Sequence, residues 1–170
     1  PEAPERLFAP DDARAYRRFL DWLVGEGFAM AFVEITGPRR RQELLSWTQA
    51  AVPGAHVIAL DKIQGRPIDE VFATGRGASV LLLTRLEEAP DRLNVCRRLN
   101  VLRNELVGEF PMPWVVITHP AAALDLLQYA PDFSDFAGLW LREEGEQEEG
   151  KGFKRLATAS FSVQRDVRSS

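Results

Sequence analysis

Three consecutive arginines form a cationic cluster that could bind an anion. Arg39, Arg40 and Arg41 directly follow Pro38, where a helix is predicted to begin. The first turn of a helix carries partial positive charge, so each cation there costs roughly 0.3–1 kcal/mol. A nearby phosphate, nucleic acid, acidic partner protein or the chain's own acidic residues 143–149 would offset that cost. A solvated basic turn is the other interpretation.

Other candidate side chains stand at the ends of apolar runs. Thr84 and Arg85 end one run, and His119 follows another. Parallel α/β sheets bind ligands at the carboxyl ends of their strands, so these residues are predicted to join the arginines at one edge. A catalytic His119 would need an orienting acid and a nucleophile, for which Asp125 and Ser134 are the conceivable partners. The alternative is a histidine that bonds to the local backbone.

The single cysteine limits the metal sites that the chain can form and indicates the redox state of its compartment. Cys96 lies on the apolar stripe of a predicted helix with Leu99, as a buried structural thiol would. One cysteine and two separated histidines cannot form a zinc site, so we expect no metal and no cofactor. A single cysteine fits a reducing compartment, and we expect the cytoplasm. No apolar run reaches the ~18–20 residues that span a bilayer, so we expect no membrane partner.

The elements that must position these residues alternate along the chain. Asp11 or Asp12 is predicted to cap a first helix that runs to about Glu26. Apolar runs predict strands, and amphipathic or proline-initiated segments between them predict helices. Such alternation favours right-handed crossovers and a three-layer α/β sandwich with a short, mainly parallel sheet of about five strands. The strands are predicted at 28–35, 56–60, 79–84, 114–118 and 138–142, and the helices between them at 38–52, 67–74, 91–110 and 120–130.

The 170 residues fit one domain with an appendage. Residues 1–142 are predicted to form the α/β domain, with an N-terminal arm at 1–10. The glutamate-rich stretch 143–152 is expected to be an acidic linker or loop. The tail 153–170 adds an edge strand or begins a following region. The first residue is Pro1, so we expect a processed product or a piece of a longer protein.

The charged and the aromatic side chains indicate which macromolecules the chain could bind. A net charge of −4 gives no global attraction for nucleic acid. The arginines of the helix at 91–110 are predicted to be solvated and lack an interleaved aromatic platform, so nucleic-acid binding is weakly supported. Four aromatic side chains are expected to pack in the core, with a partly exposed docking rim as the alternative: Trp114, Trp140, Phe133 and Phe136.

A longer pattern suggests a family. Residues 99–141 read L-N-x-x-R-N-E-L, F-P-x-P-W-V-V, L-D-L-L-x-x-A-P-D-F and L-W-L in succession. This pattern resembles the degenerate P-loop domain of the STAND (AAA-related) type, found in bacterial multidomain signalling and conflict proteins. Thr36-Gly37-Pro38 followed by Arg41-x-x-Leu44 is similar to that group's first strand and helix. The resemblance covers about residues 15–142 and implies a P-loop NTPase-like fold.

The resemblance directs attention to a phosphate loop, and the sequence lacks one. A working loop is G-x-x-x-x-G-K-[ST], whose backbone N–H groups and lysine surround the phosphates. Gly37 is the only aligned glycine. Glu43 stands where the lysine is needed and is expected to repel phosphate, and its neighbours are also wrong: Gln42 and Leu44.

The acidic residue that should end the third strand is also missing. Thr84 and Arg85 stand there, and Glu87 and Glu88 come about three residues late. Without that carboxylate and the lysine, neither Mg²⁺ nor triphosphate has its usual partners. The sequence therefore predicts that ordinary ATP hydrolysis is absent.

These observations favour a non-catalytic regulatory or protein-interaction module of a larger bacterial signalling or defence protein. Its partner is expected to be a neighbouring domain or a separate protein, contacted through Arg39, Arg40, Arg41, Thr84, Arg85 and His119. Two enzyme alternatives stay open. One is a divergent NTPase that binds nucleotide through these arginines, and the other is a TIR-like effector that cleaves a nucleotide with Glu87 or Glu88 as the acid.

Overall fold

The computed structural model describes residues 1–23 and 26–145. It confirms the predicted α/β class, with five strands in one all-parallel sheet flanked by helices. The predicted tail at 153–170 and residues 146–152 of the predicted linker lie outside the described residues. The strands are β1 Ala29–Glu34, β2 Ala55–Ala59, β3 Val80–Thr84, β4 Pro113–Thr118 and β5 Ala137–Arg142.

The described chain also contains seven α-helices and two short 3-10 turns, and all but the first two helices lie between strands. The longest helix, α5, follows the apolar spacing predicted for residues 91–110. The 3-10 turns are Leu60–Lys62 after β2 and Leu86–Glu88 after β3. The helices are α1 Ala3–Leu7, α2 Pro10–Leu23, α3 Pro38–Ala51, α4 Ile68–Ala73, α5 Arg92–Glu109, α6 Pro120–Tyr129 and α7 Pro131–Ser134.

The order of the strands across the sheet is β2-β3-β4-β1-β5. Because β1 lies between β4 and β5, Glu34 at its end is level with Thr118 on one side and Arg142 on the other. The last residues of β2 and β3, Ala59 and Thr84, are likewise level. All five strands run the same way, so their last residues form one edge, which we call the carboxyl edge.

Helices cover both faces of the sheet, which explains the nearly continuous apolar runs. Alternate residues of β1 point to opposite faces, so Phe32 joins one core and Val33 the other. Trp114 is fully buried in the first core, with its ring centroid 5.3 Å from that of Phe72. Phe133 is fully buried and Trp140 is 8% exposed. The packing interpretation is confirmed, and an exposed aromatic rim is wrong for these three side chains.

The first ten residues, predicted as an arm, contribute to the second core. Helix α1 begins with a proline in its first turn, where the missing N–H costs nothing. Leu7 and Phe8 are each 2% exposed, and the Phe8 ring lies 5.8 Å from that of Tyr16. The domain therefore includes its N-terminal residues. Across residues 1–23 and 26–145, no helix has the length and apolarity needed to cross a membrane.

Candidate functional site

The turn between β1 and α3 stands where a phosphate loop would be. Only Ile35, Thr36 and Gly37 separate the end of β1 from the start of α3 at Pro38. Gly37 has φ −80° and ψ 131°, an extended conformation open to any residue. The helix thus begins without a glycine-rich loop long enough to surround a phosphate.

Arg41 bonds to this turn. Its Nη1 donates to the carbonyl oxygens of Ile35 and Thr36, at 2.9 and 2.6 Å. Its Nε lies 3.5 Å from Oε2 of Glu87, and the Arg41 side chain is only 13% exposed. The guanidinium is therefore committed to groups of the chain itself.

Glu87 gathers three donors at the carboxyl edge. It lies on the 3-10 turn after β3, and its Oε1 accepts the hydroxyl proton of Thr118 at 2.8 Å and the N–H of His119 at 3.1 Å. Its Oε2 faces Arg41. This carboxylate ties the end of β4 to the first turn of α3. It therefore serves as an anchor between these segments.

Glu143 holds the other side of the same turn. Its Oε1 accepts the N–H of Thr36 at 2.7 Å, and its Oε2 lies 2.9 Å from Nε of Arg40. Its own N–H donates to the carbonyl of Glu34 at 3.1 Å. Compensation of the arginines by the chain's own acidic residues is thus confirmed for Arg40. Glu143, with a side chain 17% exposed, packs against the β1–α3 turn, and the linker at 143–152 stays a prediction.

Glu34, at the end of β1, is a further carboxylate of this edge. Only 5% exposed, it accepts hydrogen bonds from Nε1 of Trp140 and from Nε of Arg142, the latter at 3.2 Å. Both bonds are accepted by Oε2, so this oxygen is already paired within the fold.

The chain turns after β3 at Arg85, whose backbone has φ 66° and lies in the left-handed conformation. A non-glycine residue there is strained, and such strain is held in place by the surrounding contacts. Its Nε donates to Oδ2 of Asp61 at 3.0 Å, and its Nη2 lies 3.0 Å from Glu88. The hydrogen bond and charge of Asp61, followed by the charge of Glu88, raise the pKa of Arg85.

Thr84 borders a cavity of about 140 Å³ beneath the first turns of α3. It is 5% exposed, and its Oγ1 has no hydrogen-bond partner among the described residues. The cavity has an apolar wall of Leu45, Val57 and Ile117. Its polar wall carries Thr84, Arg41, Arg85, Gln42, Glu87 and Glu88.

His119 acts as a helix cap. Its Nδ1 accepts the N–H of Ala121 at 2.9 Å, at the start of α6. Asp125 instead pairs with Arg92 at 2.6 Å, and the Ser134 hydroxyl donates to a backbone carbonyl. The local-backbone interpretation of His119 is confirmed, and the conceivable Ser-His-Asp set is not assembled.

One electrostatic expectation, the position of Glu43, needs correction. Glu43 does not face the turn, because its Oε2 pairs with Nη2 of Arg6 on α1 at 2.5 Å. The carboxylates beside the turn are Glu87 and Glu143, neither of which the phosphate-loop argument had placed there. Arg39 is exposed, as a solvated basic residue would be.

The arginines of α5 are less solvated than predicted. Arg92 pairs with Asp125, and the Arg97 guanidinium lies over the Tyr129 ring at 5.0 Å. Arg98 and Arg103 donate to backbone carbonyls. These contacts join α5 to its neighbours. Cys96, on the same helix, is fully buried as predicted.

The predicted site residues therefore separate into two groups. Arg40, Arg41 and His119 surround the β1–α3 turn and its two carboxylates, whereas Thr84 and Arg85 border the cavity with Arg41. No known protein family matches the sequence, and a search of curated proteins finds no significant match.

Proposed function

We propose that this domain is a non-catalytic regulatory or protein-interaction module with P-loop NTPase-like architecture, in a larger bacterial signalling or defence protein. One observation carries the proposal. The groups that would meet a triphosphate at the β1–α3 turn are bonded to one another. The Glu143 carboxylate accepts the Thr36 N–H and pairs with Arg40, while Arg41 spans the turn carbonyls and Glu87.

The sheet supports the architecture. Five parallel strands covered by helices on both faces are compatible with the P-loop NTPase-like architecture that the resemblance of residues 15–142 implies. Strand β4 lies between β1 and β3, with β5 outside β1. A fold of this kind hosts many functions, so the site and not the sheet supports the non-catalytic assignment.

Electrostatics disfavours a nucleotide at the turn. A bound phosphate would have to displace Glu143 and would then lie near Glu87, a second carboxylate. Displacing Glu143 would break its hydrogen bond to the Thr36 N–H and its ion pair with Arg40, and a nucleotide would have to replace both contacts. An acidic protein surface meets no such barrier at Arg39, which is exposed.

The compartment is part of the proposal. A chain with one cysteine, buried in the core, has no need of an oxidising environment. We therefore place the module in the cytoplasm, beside the domain or protein that it regulates.

Titration calorimetry with ATP, GTP and NAD, each with and without Mg²⁺, tests the non-catalytic assignment. The expected result is no binding heat and no product by chromatography. Micromolar binding that Arg40→Ala abolishes and Arg14→Ala retains would establish the divergent NTPase or effector instead. Arg14 is a suitable control because it pairs with Asp11 on exposed α2, away from the turn.

Charge reversal at Arg39 tests the interaction surface in the full-length protein. Arg39→Glu is expected to remove cross-links between this domain and its neighbour or partner. The Tm of the isolated domain should stay the same or rise slightly, because a carboxylate suits the first turn of a helix. The matched control is Arg18→Glu, on the first long helix. Cross-links that persist in Arg39→Glu, or that Arg18→Glu removes equally, would contradict the proposed surface.

A further inference from the structure

The cavity beneath α3 contains a polar group that the fold leaves unused. The Thr84 side chain is more than nine-tenths buried, and its Oγ1 has no hydrogen-bond partner among the described residues. Buried hydroxyls nearly always have partners, because leaving one unpaired is costly. A hydroxyl of this kind that borders a cavity indicates that a ligand completes it.

The polar wall has donors in excess. Beside the Thr84 hydroxyl, Arg85 uses Nε for Asp61 and Nη2 for Glu88, so Nη1 has no partner within the described chain. The acceptors that line the cavity are already in use, since Glu87 takes three donors and Glu88 pairs with Arg85. The unpaired Oδ1 of Asp61 is buried and is not part of the lining. What this wall lacks is an acceptor, and a carboxylate provides two oxygens for it.

Charge allows a carboxylate to enter. Among the lining residues, the guanidiniums of Arg41 and Arg85 balance the carboxylates of Glu87 and Glu88. Glu88 has a side chain 45% exposed, and exposed ion pairs contribute little to stability. A ligand carboxylate can therefore replace Glu88 at Arg85, while Asp61 stays in place behind it.

The opposite wall and the volume define the rest of the ligand. Leu45, Val57 and Ile117 offer an aliphatic surface. The cavity, at about 140 Å³, is similar in size to one that accommodates benzene, so it fits a molecule of about six non-hydrogen atoms.

We propose that this cavity binds a small organic carboxylate, with its charged end at Thr84 and Arg85 and a short aliphatic tail against Leu45, Val57 and Ile117. The strained backbone of Arg85 supports this, because left-handed non-glycine residues concentrate at ligand sites. The inference goes beyond the proposed function and does not depend on it. A module of this kind would report the level of a small carboxylate to its partner.

Thermal unfolding with sodium butyrate tests the proposal, with butyramide and sodium chloride as controls for shape and ionic strength. Butyrate at ten times its Kd is expected to raise Tm by about 3–6 °C, and neither control should do so. Absence of a shift at about 50 mM butyrate, or an equal shift with butyramide, would overturn the proposal.

Thr84→Val separates a binding role from a structural one. The substitution exchanges an unpaired hydroxyl for a methyl group, so Tm without ligand is expected to stay or rise. The butyrate shift is expected to vanish in Thr84→Val and to persist in the control Thr74→Val. Thr74 ends α4, does not line the cavity and bonds to His56 and the Val71 carbonyl. A full shift in Thr84→Val would show that the hydroxyl binds nothing.

An NMR titration provides an independent measurement. Amide shifts caused by butyrate should be largest at Val57, Thr84 and Arg85 and absent at residues of α1. Arg85→Gln should weaken binding at least tenfold. Shifts centred elsewhere would contradict the assigned cavity even if Tm rose.

Discussion

Arg41 and Glu87 face each other across the carboxyl edge, with Nε and Oε2 3.5 Å apart and side chains only 13% and 12% exposed. The pair connects the first turn of α3 to the turn that follows β3. Glu87 also accepts hydrogen bonds from the hydroxyl of Thr118 and the N–H of His119. One carboxylate thus links three segments that are distant in sequence.

Removing that carboxylate should destabilise the domain. Glu87→Ala leaves Arg41 without its ion-pair partner and two further donors unsatisfied, so the free energy of unfolding should fall by about 2–4 kcal/mol. Glu87→Gln should lower the free energy of unfolding by less, because its amide oxygen still accepts hydrogen bonds from Thr118 and His119. Urea unfolding followed by circular dichroism measures both changes.

A double-mutant cycle provides the control for this prediction. Arg41→Ala and Glu87→Ala should be non-additive by about 1–3 kcal/mol. The exposed pair of Arg14 and Asp11 should show coupling near zero. Additive losses at Arg41 and Glu87 would mean that the pair does not hold the edge together.

Two glycines should respond in opposite directions to the same substitution. Gly108 lies inside α5, where an added Cβ would meet no atom within 4 Å, so Gly108→Ala should raise the free energy of unfolding by about 0.5–1 kcal/mol. At Gly75 the Cβ would lie 2.6 Å from Cδ2 of Leu81 and 3.4 Å from the Phe72 carbonyl oxygen. Leu81 is fully buried and would have to move, so Gly75→Ala should cost about 1–3 kcal/mol.

Thermal and urea unfolding of the two variants, prepared in parallel, check these signs. Equal effects would indicate that backbone entropy, and not the contact with Leu81, determines the outcome at both positions.

Stability should decrease in alkaline solution. Burial raises the pKa of the Cys96 thiol to about 12, from an ordinary value near 9, and also raises the pKa of Tyr16, despite its hydrogen bond to Thr48. Groups whose pKa is higher in the folded state favour that state below the unfolded pKa, and the advantage is lost as pH rises. The free energy of unfolding should therefore be level up to about pH 9 and fall above it, by at most about 1.4 kcal/mol per pH unit for each group.

Urea unfolding between pH 7 and 11 measures this decline, and Cys96→Ala with Tyr16→Phe should reduce its slope. At pH 8 the native thiol should not react with Ellman's reagent, whereas the unfolded chain should. Rapid native reaction, or a slope unchanged in the double variant, would contradict burial as the cause.

Sequence patterns were sufficient for the layers of this fold because each central strand is buried on both faces. Such strands appear as continuous apolar runs, and the helices between them have their own periodicity. Helix α1 could not be found in this way, because five residues are too few to show a helical period. The order of the strands also depends on which face of the sheet each connecting helix covers. No pattern within a single strand or helix specifies that face.

The candidate site was predictable in position but not in its pairings. Being at the ends of parallel strands was enough to bring Arg41 and Thr84 to one edge. The contact of Arg40 with Glu143 depends on β5 lying beside β1, and no local pattern specifies that neighbour. The orientation of Glu43 depended on the rotation of α3 about its axis, which the packing against α1 decides.

The backbone bond from the N–H of Glu144 to the carbonyl of Leu7, at 2.7 Å, holds the segment that follows β5 beside the end of α1. The first helix and the last strand of the described domain therefore meet, although more than a hundred residues separate them in the sequence. A circularly permuted chain, joined there by a short bridge and opened at an exposed loop tip, should fold to the same structure.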